Sequence, residues 1–507
     1  MAESEKKSGS DTVSEVADTQ EDRRLVRKVD LRLIPILSLL YLLSFLDRSN
    51  IGNARIIGLA ADIHLSPSAY NTALALYFIA YVLFEVPSNV GQTHIGRNQA
   101  HIALDHIWLP TLTLAWGLVS IGQGLITNQA GLLGIRFLLG ITEAGLFPGS
   151  IFLFSVYYQR QAPNQTAQNF LTEILTRRER GYRVAIFFGG AALAGAFGGI
   201  LAYAIDKMEG VGGRRGWQWQ IFIVEGILTV AVSLVAYFIV PTWSHTAKFL
   251  TDDERSRLLT RLKADSDAGH NERFRWFYVR QAISDHLVWG YAFLFHGFSF
   301  VLYTLSLFMP TIIVGLDFES WQAQLMTVPP NVLASISIWM TVWLSSKYNL
   351  RAPFIISSAM VAIIGYIILL TAKTPVGQYT GVHFAAAGVY TGNALLLSWP
   401  GENVSGQTKR AIAVAMQITI GDLGAVAGVL IYRPEFASHN YRKPHIISIG
   451  YLLFAIAVTA YLWLWMSKEN RDRALSLKNK DAHKEIDLSE EDRLKLGDRD
   501  VNYRYVL

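Results

Sequence analysis

The sequence predicts an all-α membrane protein whose twelve transmembrane helices form two six-helix bundles. Of its 507 residues, 51% are hydrophobic and only 17% are charged, a composition too apolar for a typical soluble protein of this size. Twelve apolar runs approach the length of about 20 residues that crosses the hydrocarbon core of a bilayer. One long hydrophilic stretch divides these runs into two sets of six, which indicates a duplicated layout.

The chain begins with a polar, charged segment, 1–30, which we predict to be a disordered cytoplasmic tail. The first apolar run starts only at Leu31, too far along for a cleavable signal peptide. The chain has no cysteine, which excludes disulfides, thiol nucleophiles and thiolate metal sites. We find no nucleotide loop, metal-ligand cluster or nucleophile paired with a base, so we expect no enzyme activity, cofactor or bound metal.

The N-terminal bundle is predicted over 31–240 and the C-terminal bundle over 285–467. A cytoplasmic linker, 241–284, joins them, and a cytoplasmic tail, 468–507, follows. The ends of the spans are placed to within about four residues. The predicted spans are 33–53, 71–91, 107–127, 131–158, 184–205, 219–240, 287–314, 322–344, 352–372, 377–400, 412–432 and 446–466.

Lysines and arginines in short loops mark the cytoplasmic side of a membrane protein. Here most of them fall in the tails and the even-numbered loops, so both termini are predicted to be cytoplasmic. Two short loops, 206–218 and 433–445, run against this bias. The net charge of +5 therefore indicates topology and contact with an anionic leaflet of the lipid bilayer, and no nucleic-acid partner is expected.

The stretch 131–149 carries an arginine and a glutamate in a segment otherwise suited to lipid. Arg136 and Glu143 are nearly two helical turns apart, so they project from one face, about 10 Å apart along the axis. A charge at the bilayer centre costs about 3 kcal/mol, so such residues face a cavity or a partner and are candidates for function. The alternative is an internal ion pair that only locks the bundle.

Other candidate residues lie in the first two spans and in the second half. Asp47 and Arg48 stand well inside the first apolar stretch, although an idle pair at a helix end is the alternative. Glu85 is predicted near the cytoplasmic end of its span, which favours a gate contact. Tyr77 and Tyr81, one turn apart, suit cavity lining and packing equally well, and Asn393 is the strongest ligand candidate within 389–403. Three further intramembrane ionisable residues are Glu225, His296 and Asp422.

Four strings carry a family resemblance: DRSNIGNA at 47–54, EVPSN at 85–89, RFLLGITEAGLFPG at 136–149 and TRRERGYR at 176–183. Together they resemble the anion:cation symporter family of the major facilitator superfamily. More narrowly, they are similar to the fungal allantoate, nicotinate and pantothenate permease branch. The resemblance implies the major facilitator fold, in which two six-helix bundles rock around a central site.

The resemblance also implies a function, which is proton-coupled symport of a small organic anion across the plasma membrane by a monomer. Asp47 and Glu143 would couple protons, and Arg48 and Arg136 would hold the anion. The residue chemistry agrees, because guanidinium is a rigid, permanently charged fork for a carboxylate and a desolvated carboxyl can take up a proton. Nicotinate, pantothenate, allantoate, a short peptide and a sugar acid all remain possible substrates, because pocket shape decides among them.

Two segments, near 91–106 and 159–176, are longer and more polar than the family pattern. They are either adaptations or products of an imperfect gene model. A rival function is a nutrient receptor on the same scaffold, which binds its anion and signals through its tails without transport. The long linker and the charged C-terminal region leave room for that reading.

Overall fold

The computed structural model describes residues 20–66, 68–97, 105–158, 179–208, 210–241, 244–264, 275–433, 435–436, 441–480, 496–501 and 503–507. All regular secondary structure within these ranges is helical. The predicted polar insertion 159–176 lies outside the described residues, and so does 98–104 of the other insertion. Residues 1–19 of the predicted N-terminal tail are also outside them.

The N-terminal half contains eight helices, a 3-10 turn (Val211–Gly213) and a π-helical segment (Gln218–Ile223), counted over the described ranges. The first helix starts at Gln20, so residues 20–30 are helical and the predicted disordered tail is wrong there. The helices are α1 (Gln20–Ile56), α2 (Leu59–Asp62), α3 (Ala69–Arg97), α4 (Asp105–Gln123), α5 (Gln129–Glu143), α6 (Leu146–Tyr157), α7 (Glu179–Asp206) and α8 (Val224–Ile239).

Two helices occupy the predicted linker and seven form the C-terminal half, again over the described ranges. The linker helices are α9 (Asp252–Ala264) and α10 (Trp276–Ile283). The others are α11 (His286–Val314), α12 (Ser320–Met326), α13 (Val328–Tyr348), α14 (Ala352–Thr371), α15 (Pro375–Asn403), α16 (Gln407–Ile431) and α17 (Arg442–Lys480).

Each of the twelve predicted spans corresponds to one helix or to two consecutive helices. By length and hydropathy, eight stretches of the described chain can cross a membrane: α1, α5 with α6, α7, α11, α12 with α13, α14, α16 and α17. The remaining four spans are α3, α4, α8 and α15.

The fourth span is two helices, whereas its apolar run predicts one continuous helix. Helix α5 ends at Glu143 and α6 begins at Leu146. Pro148 has no backbone N–H, so the carbonyl of Ala144 lacks its usual helical donor. The interruption lies next to this missing hydrogen bond and places the Glu143 side chain at a helix end inside the protein.

The two halves meet at the end of the bundle farthest from the linker, which we call the far end. Asn71, at the start of α3, donates hydrogen bonds to the carbonyl oxygens of Val429 (2.5 Å) and Tyr432 (3.1 Å) at the end of α16. Ser320 donates to the carbonyl oxygen of Ile56 at 3.1 Å. Because these contacts join the ends of helices from both halves, the far end is closed in this structure.

The other end carries the linker, and we call it the linker end. Helix α9 is held against the beginning of α1 by ion pairs between Lys28 and Glu254 (2.7 Å) and between Arg257 and Asp22 (2.8 Å). The hydrogen bond from Lys28 lowers the pKa of Glu254. Both ion pairs bind the linker to the N-terminal half.

The C-terminal residues 496–501 and 503–507 return to the linker end of the C-terminal half, and we call them the C-terminal segment. The buried ammonium of Lys409 lies 2.6 Å from Asp285 and 2.7 Å from Asp498. The side-chain amide of Asn403 donates to the carbonyl of Val506 (3.0 Å), and its Oδ1 atom accepts a hydrogen bond from the N–H of Val506 (2.7 Å). The C-terminal segment is therefore packed against the helices, whereas residues 468–480 of the predicted cytoplasmic tail continue helix α17.

Helices α3 and α5 approach so closely that one glycine between them has no room for a side chain. A Cβ on Gly140 would overlap the backbone carbonyl of Tyr77, whereas a Cβ on Gly134 would have no neighbour within 4 Å. We expect Gly140→Ala to destabilise the protein by about 1–3 kcal/mol through overpacking. The matched control, Gly134→Ala on the same helix, should stabilise it by about 0.5–1 kcal/mol. Thermal unfolding in detergent measures both, and equal shifts would contradict the packing.

Candidate functional site

A buried ion pair joins the first and fourth spans. Nη2 of Arg48 lies 2.6 Å from Oε1 of Glu143, and the two side chains are 6% and 0% exposed. Ser44 donates a hydrogen bond to the same carboxylate oxygen, and the Tyr77 hydroxyl donates to Oε2 at 2.6 Å. Nη1 of Arg48 donates to the hydroxyl of Tyr303 on α11 at 2.6 Å. The pair therefore lies where the two halves meet.

Three tyrosine rings surround the guanidinium of Arg48. Its central carbon lies 5.3 Å from the ring centroids of Tyr77 and Tyr81 and 5.4 Å from that of Tyr303. At these distances the ring faces attract a cation. The central cluster, as we use the term, consists of Ser44, Arg48, Tyr77, Tyr81, Glu143 and Tyr303.

The structure places Tyr77 and Tyr81 in this cluster, and it adds one aromatic residue that the sequence analysis missed, Tyr303, which contacts Arg48 directly. Tyr390, one of the candidates within 389–403, lies outside the cluster and packs against Phe45 with ring centroids 6.2 Å apart. Both tyrosines belong to the C-terminal half and stand in apolar helices beside many other large side chains. No spacing in the sequence distinguishes them from packing residues.

Asp47 points away from the central cluster into the N-terminal half. Its carboxylate accepts hydrogen bonds from the indole N–H of Trp116 (2.5 Å) and the hydroxyl of Ser120 (2.9 Å), both on α4. Successive residues of a helix are rotated by about 100°, which separates Asp47 from Arg48 although they are neighbours in sequence.

Arg136 lies beside Asp47 rather than in the ion pair with Glu143. It is 1% exposed and interacts electrostatically with Asp47 and, more weakly, with Glu143. Its Nε and Nη2 atoms are buried and make no hydrogen bond to any described residue. An internal ion pair was the alternative to a functional role for Arg136 and Glu143, and the structure instead pairs Glu143 with Arg48.

Glu85 forms a polar contact between the halves. It is fully buried, and one carboxylate oxygen accepts a 3.5 Å hydrogen bond from Thr419 on α16. Asp422, nearly one helical turn beyond Thr419, interacts electrostatically with Glu85 and with Arg48. The sequence singled out Asp422 without giving it a role, and the structure places it on the side of α16 that faces the N-terminal half.

Asn393 is not part of the central cluster. Its side-chain amide donates to the carbonyl of Val389 on its own helix at 2.9 Å and, more weakly, to that of Phe298 on α11 at 3.5 Å. Nδ1 of His296 lies 2.9 Å from the carbonyl of Ile420, so it joins α11 to α16. Within the described ranges, no group of three or more His, Asp or Glu side chains has the arrangement of a metal site.

The Major Facilitator Superfamily model matches residues 37–429 of the chain. A fungal relative, the MFS transporter prlL of Fungal sp. (strain NRRL 50135), is 34% identical and covers 89% of this chain and 87% of its own length. The high-affinity nicotinic acid transporter of Saccharomyces cerevisiae is 29% identical over 96% of this chain and 85% of its own.

Solved structures also resemble the chain. A bacterial homologue of the human lysosomal transporter Spinster, in an inward-facing and occupied conformation, superposes with a TM-score of 0.60 and 14% identity. The match covers 85% of this chain and 96% of that one. The matched family and the curated relatives are transporters, not enzymes. The fold and the family resemblance predicted from the sequence are thus confirmed, and the chain belongs to the major facilitator superfamily of membrane transporters.

Proposed function

We propose that this transporter is a proton-coupled symporter of a small organic anion, a vitamin or ureide carboxylate such as nicotinate, pantothenate or allantoate. The observation that carries the proposal is the buried pair of Arg48 and Glu143 between the two halves. The guanidinium of Arg48 is permanently charged, whereas its partner Glu143 is an acid that a proton can neutralise. When the acid is protonated, a substrate carboxylate can take its place beside the guanidinium. The similarity to a nicotinic acid transporter supports the substrate class.

Coupling to protons solves an energetic problem for such a substrate. If the cell interior is negative by about 100 mV, entry of a monoanion costs about 2.3 kcal/mol. One proton moving with each anion makes the cycle electroneutral. Each pH unit of inward gradient then supplies about 1.4 kcal/mol, or about tenfold accumulation.

The central cluster suggests how the exchange takes place. Protonation of Glu143 removes the negative partner of Arg48, whose fork then binds the carboxylate of the substrate. Tyr77, Tyr81 and Tyr303 line the same guanidinium and offer aromatic faces and hydroxyl groups to the anion. Asp47 is the second acid: it takes up a proton in the N-terminal half when the site loads, which frees the guanidinium of Arg136 that interacts with it.

The loaded, internally neutral site then permits the two halves to rock, because neutral states cross the apolar interface more easily than charged ones. Glu85 acts in this motion as a gate contact, because it bridges α3 and α16. We assign the linker end to the cytoplasm and the far end to the outside of the plasma membrane, in line with the distribution of basic loops. The closed far end then corresponds to a state that does not admit substrate from outside.

Glu143→Gln tests the coupling. The amide imitates the protonated acid, so we expect anion binding and counterflow exchange to continue, while accumulation driven by a pH gradient is lost. Radiolabelled uptake into vesicles at two internal pH values, with a panel of small carboxylates as competitors, measures both activities and ranks the substrates.

The control for this experiment is Thr142→Val, because among the described residues the Thr142 hydroxyl bonds only to carbonyl oxygens of its own helix. This variant should accumulate the anion like the wild type. Undiminished accumulation by Glu143→Gln would contradict the proposal. Binding without accumulation by the wild-type protein would instead favour a nutrient receptor.

A further inference from the structure

A row of hydrogen-bonded polar side chains lies in the N-terminal half beside Asp47. Asn50, nearly one turn after Asp47 on α1, donates a hydrogen bond to Oε1 of Glu225 on α8, and Asn53 donates to Asn50 at 3.0 Å. The remaining carboxylate oxygen of Glu225 is buried and makes no hydrogen bond among the described residues. Glu225 is 2% exposed, and the mechanism proposed above does not use it.

A second, independent feature marks the same place. The π-helical segment Gln218–Ile223 ends two residues before Glu225. Such segments occur rarely and frequently lie at functional sites. An ionisable side chain inside a membrane is also a functional candidate, because burying it without a partner costs free energy.

Among the described residues, Arg136 is the one cation that interacts with the two acids Asp47 and Glu225, and it does so through Asp47. Asp47 on α1 is the charged group that interacts with Glu225, and Asp47 itself faces Arg136 on α5 and Glu143. Helix α4, which packs against α8, contributes the neutral donors Trp116 and Ser120 to Asp47. The π-helical segment has the sequence QWQIFI, which contains no ionisable residue.

We propose that Glu225 is a further titrating acid of the transporter, coupled to Asp47, and that the two carboxyl groups retain one proton between them at neutral pH. This inference rests on the proposed function. Two carboxylates in one buried site repel each other when both are ionised, so they release their protons in separate steps. Glu225 thereby raises the pH at which Asp47 loses the proton that transport requires.

The test is the pH profile of anion uptake by Glu225→Gln. Without the second carboxylate, Asp47 releases its proton more readily, so the pH of half-maximal uptake should fall by about one unit. Glu225→Asp, which restores an acid, should keep the wild-type midpoint. Thr229→Val, a change in another buried polar residue on α8, should also leave it unchanged.

The outcomes separate this inference from the proposed function. A pH-dependent wild type with an unshifted Glu225→Gln profile would overturn the role of Glu225 only. If uptake by the wild type is independent of pH, the proposed function is wrong, and this inference with it. Glu225→Met, which is neutral and suits an apolar core, makes the same comparison if the glutamine variant does not fold. An equal shift in Thr229→Val would also count against the proposal.

Discussion

Arg48→Ala is expected to abolish uptake and to weaken anion binding by about 100-fold or more, because it removes the cation at the centre of the cluster. The substitution also leaves Glu143 buried with no cation in hydrogen-bonding distance. Removing one partner of a buried ion pair costs about 3–5 kcal/mol. Equilibrium binding of a labelled carboxylate to purified protein measures the first effect, and thermal unfolding measures the second.

A double variant separates the two effects. In Arg48→Ala with Glu143→Gln, no unpaired charge remains at this position, so most of the lost stability should return. Anion binding should not return, because the guanidinium is still absent. Arg48→Lys should bind weakly, since an ammonium group keeps the charge but not the planar fork. Wild-type affinity in Arg48→Ala would show that the substrate binds elsewhere.

Lys409→Met is expected to destabilise the protein by about 3–5 kcal/mol, because it leaves two buried carboxylates without their shared cation. Lys409 and Asp498 are each 1% exposed, and Asp285 also caps the start of α11 by accepting from the N–H of Leu287. The C-terminal segment should detach in this variant and become sensitive to proteases. Limited proteolysis and thermal unfolding in detergent detect both changes.

This loss of stability should depend on pH. Burial raises the pKa of Asp498, and the ammonium of Lys409 opposes that rise. Without the ammonium, the pKa rises further, so the folded state is favoured at low pH and loses stability as pH increases. The difference between Lys409→Met and the wild type should therefore be larger at pH 8 than at pH 5.

The control is Lys347→Met, the same substitution at an exposed lysine of the C-terminal half. Lys347 lies in the last turn of α13, where a cation contributes about 0.3–1 kcal/mol. Its replacement should change stability by no more than that. Equal effects of the two substitutions would mean that the buried charges around Lys409 do not hold the C-terminal segment.

Much of the fold follows from local properties of the chain. A bilayer excludes unpaired backbone groups, so each apolar run of sufficient length becomes a helix, and all twelve predicted spans are helices or pairs of helices. The interruption after Glu143 was not predicted, because hydropathy averages over about 20 residues and does not register a break of two residues. The helical start at Gln20 was missed because its polar residues pack against the linker, not against lipid.

The sequence predicted which charged residues form the site, but it did not predict which of them pair with each other. The cost of a charge in lipid identified Asp47, Arg48, Arg136 and Glu143, and the structure buries all four. Helical spacing on α5 placed Arg136 and Glu143 on one face, yet the hydrogen-bonded partner of Glu143 is Arg48, 95 residues earlier. Pairing depends on how two helices are rotated about their axes, and periodicity within one helix does not contain that information.

The sequence by itself determined that the chain crosses a membrane twelve times as helices and which charged side chains lie within those helices. Those conclusions need only the transfer free energy of each residue and the length of each run. Tertiary structure decided that Arg48 pairs with Glu143, that Tyr303 reaches them from the other half, and that Asp498 of the C-terminal segment pairs with Lys409. Contacts between residues so distant in sequence arise from the packing of helices, which no local pattern records.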